Sequence, residues 1–300
     1  MQEVLIQKPF LKWVGGKTQL IEKIFNKLPK EMNNYHELFL GGGSVLLAVL
    51  SLQNHGKLVI KNKIYAYDYN ESLINVYNHI KNNRDELFEA INRIVSVYDK
   101  LDGTHINRKP STEQDAMSSK ESYYYWLRMK YNSIDKHLIE HSALFMFLNK
   151  TCFRGMYREG PNGFNVPYGH YKTTPVIIKK HDLDTISEMF QHVEFIHSDF
   201  RDSINRISSD DFVYLDPPYA PENAKSFVGY TADGFSLEMH KTLFSEIKKN
   251  KNAKFLLSNA CVDLVTESFQ DYIIEEVTAR RAINAKKPSS TTREVLICNY

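Results

Sequence analysis

Apolar residues recur along this chain with two different periods. Leu20, Ile21, Ile24, Phe25 and Leu28 follow helical spacing and Pro29 stops it, which predicts a helix within 16–28. Tyr35–Leu40 reads as a short strand running into Gly41-Gly42-Gly43. Ser44–Leu52 reads as a largely buried helix, and Ile64–Asp68 as a second strand ending in an acid. From residue 75 the texture changes. Leu87, Phe88, Ile91, Ile94, Val95 and Tyr98 make an amphipathic helix. Gly103–Lys120 is polar and reads as a mobile surface loop. Tyr123–Tyr131 and Ser142–Asn149 are helical again, and Lys150–Lys180 is rich in Gly, Pro and aromatics without a periodic run. Strands then return at Val193–Ile196, Phe212–Leu215, Phe255–Ser258, Tyr272–Val277 and Glu294–Cys298, with a helix at Phe235–Lys249. Strands alternating with helices at both ends predict one α/β sheet into which the middle is inserted.

Composition narrows the class. The chain has 300 residues, 42% hydrophobic and 25% charged, as a globular protein has. That is more than one typical domain of about 100–200 residues needs. The longest apolar runs, Val45–Leu50 and Ala143–Leu148, fall far short of the roughly 18 residues of a membrane span. The N-terminus has no basic region followed by an apolar stretch, so the expectation is a cytoplasmic protein. Cys152, Cys261 and Cys298 are too few and too scattered for a disulfide framework or a zinc site. A net charge of +2 points to no partner by itself.

Local chemistry says more. Phe39-Leu40-Gly41-Gly42-Gly43 lies between a strand and a helix, where glycine lets the backbone approach a ligand. Asp68 ends the next strand, and a carboxylate there suits the two hydroxyls of a ribose. Together they point to a nucleoside-containing cofactor, against a plain turn and a surface acid. The third glycine of a dinucleotide fingerprint is replaced by Leu46, which weakens a nicotinamide cofactor. Gly15-Gly16-Lys17-Thr18 resembles the tail of a phosphate loop, but Leu11 stands where that pattern needs its first Gly.

The most specific stretch is Phe212-Val213-Tyr214-Leu215-Asp216-Pro217-Pro218-Tyr219. An apolar strand runs into an acid, two prolines that fix φ and remove donors, and an aromatic ring. Asp216 and the Pro217 carbonyl make a rigid pair of acceptors, and Tyr219 offers a flat face. Such a group fits a planar ring bearing an NH2. A buried strand with a Pro-rich exit turn is the plain alternative. Residues 148–180 carry Lys150, Arg154, Arg158, Lys172, Lys179 and Lys180 against the single acid Glu159. Phe153, Tyr157, Phe164, Tyr168 and Tyr171 are interleaved among them. Basic side chains there can meet phosphates or guanine edges, and aromatics can stack or wedge.

At these residues the sequence resembles the Dam-type DNA adenine-N6 methyltransferases, in the permuted group that places the cofactor motifs ahead of the target-recognition insert. Phe10-Leu11-Lys12-Trp13-Val14-Gly15-Gly16-Lys17 is similar to the family's first motif and Phe39–Gly43 to its glycine loop. Asp216–Tyr219 matches its catalytic tetrapeptide, and Leu148–Arg158 followed by Phe164–Gly169 its DNA-reading hairpin. Ser258-Asn259 and Arg281 resemble late motifs. The chain departs from the family at Leu38, where Pro is usual, and at Arg154, where Asn is frequent.

The resemblance implies a Rossmann-like methyltransferase sheet formed by 1–74 and 181–300. It implies an inserted, mainly helical recognition domain, 75–180, carrying a β-hairpin. Trp13, Lys17, Phe39, Gly41, Gly43, Asp68, Asp199, Phe200 and Asp216 would line the S-adenosylmethionine site. Asp216, Pro217 and Tyr219 would be catalytic, with no metal required. Lys12, Phe153, Arg154, Met156, Arg158 and Tyr171 would contact double-stranded DNA. The implied reaction is methyl transfer to N6 of a flipped-out adenine in a short duplex sequence, with a GATC-like palindrome the best expectation. The expected protein is a monomer, with a cognate restriction endonuclease as a partner in function and not in a stable complex. Cytosine-N4 methylation and a catalytically silent DNA-binding protein are the alternatives at this point.

Overall fold

A computed structural model describes residues 5–221, 234–280 and 291–300. Arg281 of the late motif lies outside them. The chain divides into two compact units. The first is built from 1–8, 15–69 and 192–300, and the second from 9–14 and 70–191.

The first unit holds helices α1 (Ile21–Phe25) and α2 (Ser44–Asn54), with strands β1 (Glu31–Met32), β2 (Tyr35–Glu37), β3 (Val59–Ile60) and β4 (Ile64–Asp68). The second holds α3 (Glu71–Asn82), α4 (Arg84–Asp99), α5 (Glu113–Ala116), α6 (Lys120–Tyr131), α7 (Ile139–Thr151) and α8 (Lys180–Met189), with the short strands β5 (Glu159–Gly160) and β6 (Gly163–Phe164). The chain then returns to the first unit with β7 (Val193–His197), α9 (Phe200–Ile204), β8 (Phe212–Leu215), α10 (Leu237–Lys249), β9 (Lys254–Ala260), α11 (Asp263–Ser268), β10 (Ile273–Arg280) and β11 (Thr291–Cys298).

Seven strands form one sheet in the order β10-β11-β9-β8-β2-β4-β7. From β9 to β7 all neighbours are parallel, while β11 runs antiparallel to both β9 and β10. The chain leaves β2 toward β4 on one side and leaves β8 toward β9 on the other. The gap between β2 and β8 is therefore the topological switch point, where open α/β sheets bind ligands beyond the strand ends. This is the expected α/β sheet. β8 is apolar and buried at every position, as a strand covered on both faces must be. α2 is buried from Val45 to Leu50 and lacks a polar face. Val213, Leu215, Phe244, Ile247, Leu257 and Ile297 belong to one apolar cluster.

In the second unit α7 is buried along nearly its whole length and packs against α3, α4 and α6. Helices α3 and α8 belong to this unit, so its borders fall at 70 and 191, outside the expected 75 and 180. Asn70 caps α3 by accepting from the Leu73 amide.

Two local expectations need correction. The polar segment 103–120 is no plain loop. Thr112 and Asp115 form a reciprocal capping box over α5, and Ser119 caps α6. Arg108 also pairs with the buried Glu121 at 2.8 Å. Polar residues there cap helix ends, which apolar periodicity does not report. The helix expected over 16–28 shrinks to Ile21–Phe25. Its first turn is diverted because the Lys17 amide donates to Ser44 Oγ and the Lys17 side chain is engaged elsewhere. No helix among the described residues is long and apolar enough to cross a membrane.

Candidate active site and recognition hairpin

β8 delivers Asp216 to the switch point, and the adjoining prolines stop the strand there. Lys17 lies buried, 4% exposed, and its Nζ sits 2.7 Å from Asp216 Oδ2. The same ammonium donates to the Gly15 carbonyl at 2.6 Å and lies 4.8 Å from the centre of the Tyr219 ring. Burial pushes the Asp216 carboxyl up to about 6, the Lys17 charge opposes that rise, and the Glu294 charge adds to it. Asp216 is therefore more basic than an ordinary aspartate, with Lys17 favouring its ionised form.

Tyr219 is held as firmly. Its hydroxyl donates to Glu294 Oε2 at 2.5 Å and meets Ser258 Oγ at 2.9 Å. The next amide, Ala220, donates to Asn259 Oδ1 at 3.0 Å. The turn after β8 is thus gripped from β9 and β11.

On the other side of the switch point, β2 runs into the glycine loop. Gly41 and Gly43 take φ of 49° and 67°, left-handed values that glycine adopts freely. The Gly41 amide donates to Asp68 Oδ2 at 2.9 Å, and the Leu40 amide to the Tyr67 carbonyl at 2.8 Å. Asp68, at the end of β4, therefore braces the loop. Phe39 packs on Phe200 and Phe235 with ring centres 5.9 Å apart in each case. Phe200 is buried in the core. Asp199 caps α9, and both its oxygens are engaged by Arg201, at 2.8 and 2.7 Å. That pairing holds the Asp199 carboxyl below its ordinary value.

The remaining sequence-predicted residues lie in the second unit. Trp13 stacks on Tyr157 and Phe145 at 5.3 and 6.3 Å. Lys12 exchanges two hydrogen bonds with the Asn149 side chain: its amide donates to Oδ1 at 2.9 Å, and its carbonyl accepts from Nδ2 at 2.8 Å. Its ammonium donates to the Tyr171 hydroxyl at 3.0 Å, and that hydroxyl donates to the Cys152 carbonyl at 3.1 Å. β5 and β6 pair as an antiparallel hairpin, Glu159 opposite Phe164, with Pro161 and Asn162 in the turn. Arg158 donates to Asn165 Oδ1 at 2.6 Å across this hairpin. Phe153 is 40% exposed, and the Arg154 guanidinium lies 5.1 Å from its ring centre. Arg154 takes φ of 57°, a left-handed value costly for a residue with a long side chain. Met156 is half-buried.

Comparison with known proteins decides the family. The model of the D12 class of N6 adenine-specific DNA methyltransferases matches residues 13–283. The chain belongs to this family. It is similar to the type II methyltransferase M.MjaIII of Methanocaldococcus jannaschii, 35% identical over 98% of this chain and 99% of the relative. It is 32% identical to the type II methyltransferase M1.LlaDCHI of Lactococcus lactis subsp. cremoris, over 98% and 95%. A DNA adenine methylase of Haemophilus influenzae is 29% identical over 93% and 89%.

This methyltransferase transfers a methyl group from S-adenosylmethionine to N6 of adenine in DNA. The strand-end groups suit that cofactor: a left-handed glycine loop opening α2, a carboxylate on the neighbouring strand, and aromatic rings beside both. Sequence reasoning missed several residues that hold the site. Glu294 braces the tetrapeptide from β11, beside Ser258 and Asn259 of β9, which the sequence had marked only as a late motif. Asn132 clamps the Phe164 backbone, donating to its carbonyl at 3.0 Å and accepting from its amide at 2.9 Å. Glu37, buried at the end of β2, accepts from the Tyr35 hydroxyl at 2.6 Å. An acid just ahead of the glycine loop was the available signal for Glu37.

Proposed function

We propose that this enzyme methylates an adenine turned out of the duplex within a short palindrome of GATC type. The observation that carries the chemical part of the reading is Asp216 at the switch point, 2.7 Å from the Lys17 ammonium and followed by two prolines and Tyr219. The N6 lone pair of adenine is delocalised into its ring. Hydrogen bonds from the two N6 protons to Asp216 and the Pro217 carbonyl favour a more tetrahedral, nucleophilic nitrogen. Tyr219 presents its ring to the base. When bound, S-adenosylmethionine supplies a methyl group already activated by its sulfonium. The protein's task is then placement, worth several kcal/mol of barrier in well-oriented cases. Phe39, Gly41, Gly43, Asp68, Asp199, Phe200, Trp13 and Lys17 are the residues that would hold the cofactor. Arg201 would have to leave Asp199 if that carboxylate receives the adenine amine.

On the DNA side, Phe153 fills the space the flipped base leaves. That flip costs a few kcal/mol. Arg158, held flat by Asn165, reads a guanine, with Lys12, Arg154, Met156 and Tyr171 around it. The reading includes a monomer acting in the cytoplasm. A restriction endonuclease of the same site would be a separate protein, in keeping with the type II names of two relatives. Sequencing methylated bases in DNA from cells expressing the enzyme tests the site directly. N6-methyladenine in one short palindrome is expected, and methylation without sequence preference would defeat the reading of the hairpin.

A further inference from the structure

Lys17, Ser258 and Glu294 converge on Tyr219, and the acid has no place in the mechanism above. Glu294 lies on β11, opposite Ala260 of β9 and Val277 of β10, and is 8% exposed. Its Oε2 accepts from the Tyr219 hydroxyl at 2.5 Å. That hydroxyl has a single proton, so the contact with Ser258 must be donated by the serine. Ser258 is fully buried. The Tyr219 ring is thus tied at its hydroxyl end from two strands and faced by the Lys17 ammonium.

Burying a carboxylate beside another carboxylate costs stability unless it is well paired. An apolar residue at 294 would pack against the sheet without that cost. A charge retained there calls for a role, and the group it binds is the ring proposed to face the base.

We propose that Glu294 is a positioning residue for methyl transfer, holding the Tyr219 ring in place through its hydroxyl and setting, through its negative charge, how strongly Asp216 accepts a hydrogen bond. This rests on the roles given above to Asp216 and Tyr219. Among the described residues, the charged and titratable groups that act on Asp216 are Lys17 from the turn before α1, Tyr214 on β8, Tyr219 after it, Glu37 on β2 and Glu294 on β11. Lys17 opposes protonation of Asp216 and Glu294 promotes it. Glu294 therefore keeps Asp216 more basic than Lys17 alone would leave it, and a more basic carboxylate is a stronger acceptor.

The two effects separate by substitution. Glu294→Gln keeps an oxygen that can accept from Tyr219 and removes the charge. Its acid limb of kcat should move to lower pH, while the KM for S-adenosylmethionine changes less than about twofold. Glu294→Ala removes the tie as well, and kcat should fall about tenfold or more, the range expected for a hydrogen bond to a charged group. Tyr219→Phe should fall comparably. The double variant Tyr219→Phe/Glu294→Ala should be no worse than the poorer single one, because both break the same bond. If Glu294→Ala does not fold, the same cycle is run with Glu294→Leu, which fills the space and carries no acceptor. An unmoved acid limb in Glu294→Gln overturns the electrostatic role, and multiplying losses in the double variant overturn the positional one. Asp216→Ala measured alongside separates the levels: a fully active Asp216→Ala enzyme overturns the underlying mechanism too.

Discussion

The strand-end site of the first unit and the hairpin of the second are braced by different means. Around Asp216 the ties run mostly between charged or hydroxyl side chains: Lys17 to Asp216, and Glu294 and Ser258 to Tyr219. Around the hairpin, side chains grip backbone: Asn149 holds Lys12, Asn132 holds Phe164, and Tyr124 and Arg128 both donate to the Val166 carbonyl. The first arrangement fixes the direction of the Asp216 and Tyr219 side chains. The second fixes the course of the chain and leaves Phe153, Arg154 and Arg158 exposed. Changes in the first should appear in kcat and pH dependence, and changes in the second in DNA affinity and discrimination.

Asp216→Ala should break the first region most severely. Loss of one preorganised transition-state partner costs about 10²–10³ in kcat. Duplex binding by gel shift should survive, and a variant keeping a tenth of wild-type kcat would remove Asp216 from the chemistry.

Gly155→Ala should damage the second region alone. Gly155 takes φ of 65°, and a Cβ there would lie 2.3 Å from Lys12 Cδ. A left-handed non-glycine residue costs about 1–2 kcal/mol before that overlap is counted. DNA affinity should drop while S-adenosylmethionine binding by calorimetry stays unchanged. Equal loss of both would show that the regions are not separable.

Arg158→Ala sharpens the comparison further. A bidentate guanine contact is worth about 1–3 kcal/mol of discrimination. The variant should lose that preference at one guanine while binding mismatched duplexes as before. Uniform loss on all duplexes would make Arg158 a phosphate contact.

The smallest effect is expected at Glu37. Burial pushes its carboxyl up to about 8, with the charges of Asp216 and Asp68 adding to the rise. The folded chain therefore keeps a proton that the unfolded chain releases near 4.5. Stability from this group is complete below that value and is lost as pH climbs through about 8. Tm should decline from pH 6 to pH 9, and Glu37→Gln, with no proton to lose, should flatten the decline. Parallel slopes in the two proteins would count against a protonated Glu37.

Much of this enzyme was legible in its sequence. Buried parallel strands such as Phe212–Leu215 announce themselves as short apolar runs, and the exit Asp216-Pro217-Pro218-Tyr219 is contiguous, so local order alone displays it. The glycine loop and Asp68 were readable for the same reason. The capping box at Thr112-Glu113-Gln114-Asp115 was equally local and went unread because apolar periodicity does not register it.

Tertiary structure decided the rest. Tyr219 reads in sequence as a free flat face. Folding ties its hydroxyl to Ser258 and Glu294, 39 and 75 residues further along the chain. Asp68 reads as a ribose ligand, and folding also makes it the brace of Gly41. Lys17 and Asp216, 199 positions apart, become an ion pair only when the sheet forms. Periodicity and motif spacing depend on the nearest few residues. The basicity of Asp216 and the direction of the Tyr219 ring depend on charges and acceptors brought in by other strands and by the turn before α1.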